Sequence, residues 1–111
     1  MKQSELFQAL TAVAPTAYLA FPEESHQEPP FICYYLPGIN DVYADNINYQ
    51  RIWNLTIELY TESKRLDLEN TIENALKSMG LAYDREEVWI DSERMYQITY
   101  YTEVIFEGEE Q

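Results

Sequence analysis

Histidine and cysteine occur once each in these 111 residues, at His26 and Cys33, and glycine only at positions 38, 80 and 108. One cysteine cannot close an internal disulfide, so nothing points to an oxidising compartment. Zinc needs a cluster of soft ligands, which a single histidine and a single cysteine cannot make. Three scattered glycines form no phosphate-cradling loop. A nucleophilic pair would have to be built from Cys33 and His26. His26, however, lies in a polar loop, and Cys33 in an apolar run where a small inert core residue fits. Carboxylates are plentiful, but Asp41 and Asp45 lack the spacing of a calcium loop, and Glu86, Glu87, Asp91 and Glu93 follow no ligand pattern. A solvated acidic face is the expectation. No enzyme, cofactor or metal is expected.

Positive charge is scarce too. Seven lysines and arginines face 20 aspartates and glutamates, for a net charge of -13. Such a field argues against binding a phosphate backbone, so no sequence-specific nucleic-acid binding is expected. Apolar residues make up 46% and aromatic residues 14%, too much for a disordered acidic tail. The length suits one domain over 1–111, with 107–111 a frayed acidic tail, and about two thirds of the extended chain's surface buried on folding. No run approaches the ~18 apolar residues of a membrane span, and the N-terminal stretch lacks the pattern of a signal peptide. Neither a membrane nor export is expected, and the chain should act in a cytoplasm.

The chain is organised around Arg51 to Thr61. Large apolar residues Trp53, Leu55, Ile57 and Leu59 alternate with Asn54, Thr56 and Glu58, the period-2 pattern of a long, half-buried strand. Met95 to Phe106 alternates in the same way, with Tyr96, Ile98, Tyr100, Val104 and Phe106 on one side. Ser4 to Ala14 reads as a short amphipathic helix capped by Ser4 and stopped by Pro15. Asp67 to Gly80 is a second helix, with the stripe Leu68, Ile72, Ala75, Leu76 and Met79, Asp67 as cap and Glu69 in the first turn. Thr16 to Phe21, Phe31 to Leu36 and Tyr83 to Ile90 read as further strands. All five prolines lie between positions 15 and 37, which assigns that third to sheet edge and loop. The fold class is α+β, in the order α-β-β-β-α-β-β. A mixed, mostly antiparallel sheet of four or five strands should carry both helices on one face.

Two features go beyond a packed core. Pro37 to Asn48 is rich in turn residues yet holds Ile39, Val42, Tyr43 and Ile47. It either folds back onto the core or projects as a hairpin arm that packs against another subunit. Tyrosine is over-supplied, with ten residues. Tyr60, Met95 and Tyr101 have the opposite parity to the core positions of their strands. They should line the second face of the sheet among Asn54, Thr56, Gln97 and Thr99, a mixed polar and aromatic surface of the kind used at subunit contacts.

The run Ile57-Glu58-Leu59-Tyr60-Thr61, a helix from Glu69 through Leu76 ending at Met79-Gly80, then Ile90 and Glu93 through Tyr100 together form a recognisable succession. Over Tyr49 to Phe106 this resembles the small tail-completion and tail-terminator proteins of long-tailed bacteriophages and prophages. The resemblance implies an α+β subunit that assembles as a ring, usually a hexamer, at the head-proximal end of the tail tube. Its partners would be itself, the tail-tube protein and the head-connector protein. It would sit in the virion neck, and in the host cytoplasm during assembly. Its function would lie in surfaces, with no functional residue carried over. Acidic walls would suit a neck through which DNA passes, because like charge keeps DNA from sticking.

Other classes compete with this. An acidic decoy that mimics DNA would present carboxylates in a regular double row, whereas these acids are scattered. An immunity-type protein that neutralises a basic partner is the other alternative, and gene neighbourhood would separate it from a neck protein.

Overall fold

A computed structural model of the chain describes residues 1–44 and 47–107. In chain order it contains helix α1 (Gln3–Thr11), strands β1 (Thr16–Tyr18), β2 (Phe31–Ile39), β3 (Val42–Ala44), β4 (Ile47–Gln50) and β5 (Trp53–Thr61), helix α2 (Leu66–Ser78), and strands β6 (Tyr83–Ile90) and β7 (Met95–Val104). The main sheet runs β1-β2-β5-β7-β6, so the alternating Trp53–Thr61 stretch is its middle strand. β5 is antiparallel to β2 on one side and to β7 on the other, and β6 is antiparallel to β7. β1 adds a short parallel edge to β2. The architecture is α+β, with two helices and a five-stranded mixed, mostly antiparallel sheet. Its order of helices and main-sheet strands is α-β-β-β-α-β-β.

Register assigns the faces, because directly opposed residues share a side of the pleat. Ile57 stands between Tyr34 and Tyr100, and Leu59 between Ile32 and Ile98. These side chains form one buried cluster with Leu55, with Leu6 and Leu10 of α1, and with Ile72 and Leu76 of α2. Both helices therefore cover the same face. Trp53, Leu68 and Met79 pack around the rim of the cluster.

The helix starts differ from the sequence expectation. Lys2, not Ser4, caps α1, and its backbone N–H donates to Glu5 Oε1 at 2.7 Å. The N-cap of α2 is Arg65, while Asp67 lies within the first turn and takes both arms of the Arg65 guanidinium at 3.0 and 2.9 Å. A carboxylate there still favours the helix N-terminus. The proline-rich third is not confined to the edge, since β2 pairs on both sides. Pro37 is accommodated where the β2–β5 register shifts, between Tyr35 and Gly38, so its missing N–H costs no regular ladder bond. At the other end, Glu107 is held: its N–H donates to the Met1 carbonyl at 2.7 Å. The remainder of the expected tail, 108–111, lies outside the described residues.

Two carboxylate side chains are inside, those of Asp41 and Glu69. Glu69, read from sequence as a first-turn helix acid, is 2% exposed. The Lys64 ammonium stands 2.7 Å from its Oε2, and Arg85 donates to Oε1. Arg85 also reaches Glu73 at 3.6 Å, and Glu73 accepts from the Tyr100 hydroxyl at 2.8 Å. Glu87 closes the group by pairing with Lys64. The network ties α2 to the edge strand β6. A buried carboxylate without these cations would be strongly destabilising.

Two outcomes follow. Leu55→Ala and Leu76→Ala should each cost about 2–5 kcal/mol in denaturant unfolding, the range for a large-to-small change in a core. A cost below about 1 kcal/mol would contradict the packing. The second concerns acid. Lys64, aided by Arg85, holds the Glu87 carboxyl below its usual range. The folded state thus binds fewer protons at this site than the unfolded chain. The resulting stability is fully present above the unfolded value of about 4.3 and is lost as pH falls through the lowered folded value. Glu87→Gln should narrow its stability gap to the parent protein as the pH drops below about 4. A gap independent of pH would contradict the pairing.

Candidate interaction surface

Opposite the helices, the sheet presents Phe31, Cys33 and Tyr35 from β2, and Asn54, Thr56, Glu58 and Tyr60 from β5. Met95, Gln97, Thr99, Tyr101 and Glu103 follow from β7, and Asp84, Glu86, Val88 and Ile90 from β6. Among the described residues no helix covers this side. Its centre is Glu58, whose cross-strand neighbours are Cys33 and Thr99. The Tyr60 hydroxyl donates to Glu58 Oε1 at 2.8 Å and the Tyr35 hydroxyl to Oε2 at 3.3 Å. Gln97 Nε2 donates to the Tyr60 oxygen at 3.2 Å. Further along, Tyr101 donates to Glu86 at 3.0 Å. Burial, and then Glu58, push the Tyr60 phenol above its ordinary range, so it remains a neutral donor. The Glu86 carboxylate does the same for Tyr101.

Three of the residues expected on the second face are therefore there together. Tyr101 is 45% exposed, while Tyr60 and Met95 are half-buried. The half-burial of Tyr60 has a cause that spacing alone does not reveal. Phe31 stacks on its ring at 4.8 Å, and Phe21, from the segment after β1, meets Phe31 edge-on at 5.6 Å. That segment turns over one end of the face and leaves a cavity of about 370 Å³, whose apolar lining includes Phe31, Tyr60, Ile90 and Met95. Cys33 and His26 line it as well. The Cys33 thiol is pushed up to about 11 by burial and by Glu58, the opposite of what a nucleophilic thiolate needs. His26 is exposed and bonds Glu28 at 3.0 Å.

Away from this face, the chain between β2 and β5 continues as a hairpin. The Asn40 N–H donates to the Ile52 carbonyl at 2.8 Å, Arg51 pairs with Asp41 at 2.8 Å, and β3 then pairs with β4. β7 stops opposite Trp53, so among the described residues no third strand flanks this extension. The molecule measures 50 × 30 × 24 Å, and its radius of gyration of 15.1 Å exceeds the ~13 Å of a compact chain this long. Ile39, at the base of the arm, is 43% exposed. The side chains of Val42, Tyr43 and Ile47 lie outside the described residues.

Among the described residues no group of three or more histidine, cysteine, aspartate or glutamate side chains could hold a metal ion. No helix among them is long and apolar enough to cross a membrane. Cys33→Ala and His26→Ala should leave melting temperature and any assembly close to the parent's, with a modest packing loss at the cysteine. Lost assembly in a still-folded variant would assign these residues a chemical role. Comparison with protein-family models and with curated proteins finds no match to this chain.

Proposed function

We propose that the chain is a structural neck protein of a long-tailed phage or prophage, which closes into a ring, caps the tail tube and joins tail to head. The arm formed by β3 and β4 carries this reading. It extends beyond the main sheet with an exposed apolar residue at its base, as a segment that reaches a neighbouring subunit would. The resemblance over Tyr49 to Phe106 supports the same assignment. So does the outer side of β6, an edge of eight residues to which a neighbour can add backbone hydrogen bonds.

A ring requires a heterologous contact, in which two different patches of the subunit meet around the circle. The arm supplies one patch and the body of the neighbour the other. The face opposite the helices then remains for the tube or the connector. The partners are copies of the chain, the tail-tube protein and the head-connector protein, and the site of action is the virion neck after assembly in the host cytoplasm. A net charge of -13 per subunit suits a DNA-conducting lumen but opposes closure. Added salt shortens the screening length to about 8–10 Å near physiological strength and should favour association.

Tyr43→Asp combined with Ile47→Asp should leave the melting temperature near the parent's. It should abolish ring formation and tube capping, read by light scattering and negative-stain images with and without tail-tube protein. A folded double variant that still caps tubes would overturn the role of the arm. One that unfolds would place the segment in the core instead.

A further inference from the structure

The seven cations are distributed unevenly. Arg51, Lys64, Arg65, Arg85 and Arg94 all form ion pairs with carboxylates of this chain. Arg85 and Glu87 oppose Tyr100 and Ile98 on β7, which places their network on the helix side of the sheet. The opposite face carries Glu58, Asp84, Glu86 and Glu103, with no lysine or arginine among its strand residues. Among the described residues no cation pairs with these four. Two of them are held in place by tyrosine hydroxyls rather than by charges.

From this segregation we propose that the open face is the docking surface for a cationic segment of a partner protein. Lysine or arginine side chains would meet Glu58 and Glu86, and an apolar anchor would enter the cavity beside Tyr60 and Met95. Charge selects this occupant. A nucleic acid would be repelled. A second copy laid face to face would oppose carboxylate to carboxylate. A basic segment gains charge-assisted hydrogen bonds from preoriented carboxylates and stacks its cations on Tyr35 and Tyr101. The cavity, of about 370 Å³, falls in the size range of ligand pockets and receives an anchor side chain easily. The inference does not depend on the neck assignment, since any basic partner would meet the same surface.

A short fluorescent peptide alternating lysine and threonine around a central leucine is the probe, with its glutamate-for-lysine counterpart as control. Anisotropy at moderate salt should show binding of the first and not the second. In the parent protein, the lysine peptide should shift amide signals on the open face, at Glu58, Tyr60, Glu86 and Tyr101. Glu58→Gln with Glu86→Gln removes two charges and should weaken binding by about tenfold; the amide oxygen at 58 still accepts from one tyrosine, and its N–H can donate to the other hydroxyl. Glu5→Gln with Asp67→Asn removes the same charge from the two helices, which cover the other side of the sheet, and should change affinity less than about twofold. Equal losses in the two pairs, shifts spread over the whole surface, or no binding would each overturn the proposal. So would sedimentation showing that a second copy already covers the face.

Discussion

Everything in this molecule is arranged under a shortage of positive charge. With seven cations against 20 carboxylates, the chain cannot neutralise its own surface. Lys64 and Arg85 are committed to Glu69 and Arg51 to Asp41, carboxylates that folding removes from water. That choice follows from desolvation: an unpaired buried carboxylate costs far more than an unpaired one in solvent. The pairing at Glu69 fastens α2 to β6 and so completes the side of the sheet that the helices cover. It also leaves the other side anionic, because no cation remains on its strands.

The middle strand β5 gives the sheet both of its characters. Its odd-numbered residues from Leu55 to Leu59 close the core against α1 and α2. Its even-numbered residues set Thr56, Glu58 and Tyr60 into the open face, where tyrosines from β2 and from β5 itself aim at one carboxylate. Pleat geometry thus builds the core and the acidic open face from a single element. A shift of register by one residue would exchange the two sets and destroy both. The arm begins where this strand's other neighbour, β7, ends.

Much of the fold was legible because its elements are strongly periodic. The alternation of β5 and β7 and the Ile72, Leu76 stripe of α2 assign strand, helix and facing without tertiary information. Tyr60, Met95 and Tyr101 were placed on the second face by parity alone. What escaped was whatever depends on contacts distant in sequence. Glu69 looks like an ordinary first-turn acid until Lys64 and Arg85 converge on it. The polar composition of residues 23–30 gave no hint that the neighbouring Phe21 would clamp Phe31 and shape a cavity beside Tyr60. Both helix caps lie two residues earlier than the expected ones, which rested on the capping chemistry of Ser4 and Asp67. The backbone instead leaves the helix at Lys2 and Arg65. The interior position of β2 was hidden by Pro37, whose conflict with sheet pairing is relieved by a register shift that composition does not announce.

The two proposed associations place opposite demands on the same charge, and this separates them physically. Ring closure brings like-charged subunits together, so screening lowers its cost and salt promotes it. Docking of a cationic segment on the open face draws on the unneutralised carboxylates, so screening weakens it. A neck subunit that does both would therefore be driven toward its ring by a basic partner at low salt, where the partner's charge relieves the repulsion that otherwise opposes closure. At high salt the ring would close unaided and hold the partner loosely. Titrating salt against ring size, with and without the lysine peptide, should show the peptide promoting closure only in the low-salt limb. A peptide effect that is equal at all salt concentrations would mean that the open face and the subunit contacts are not linked through charge.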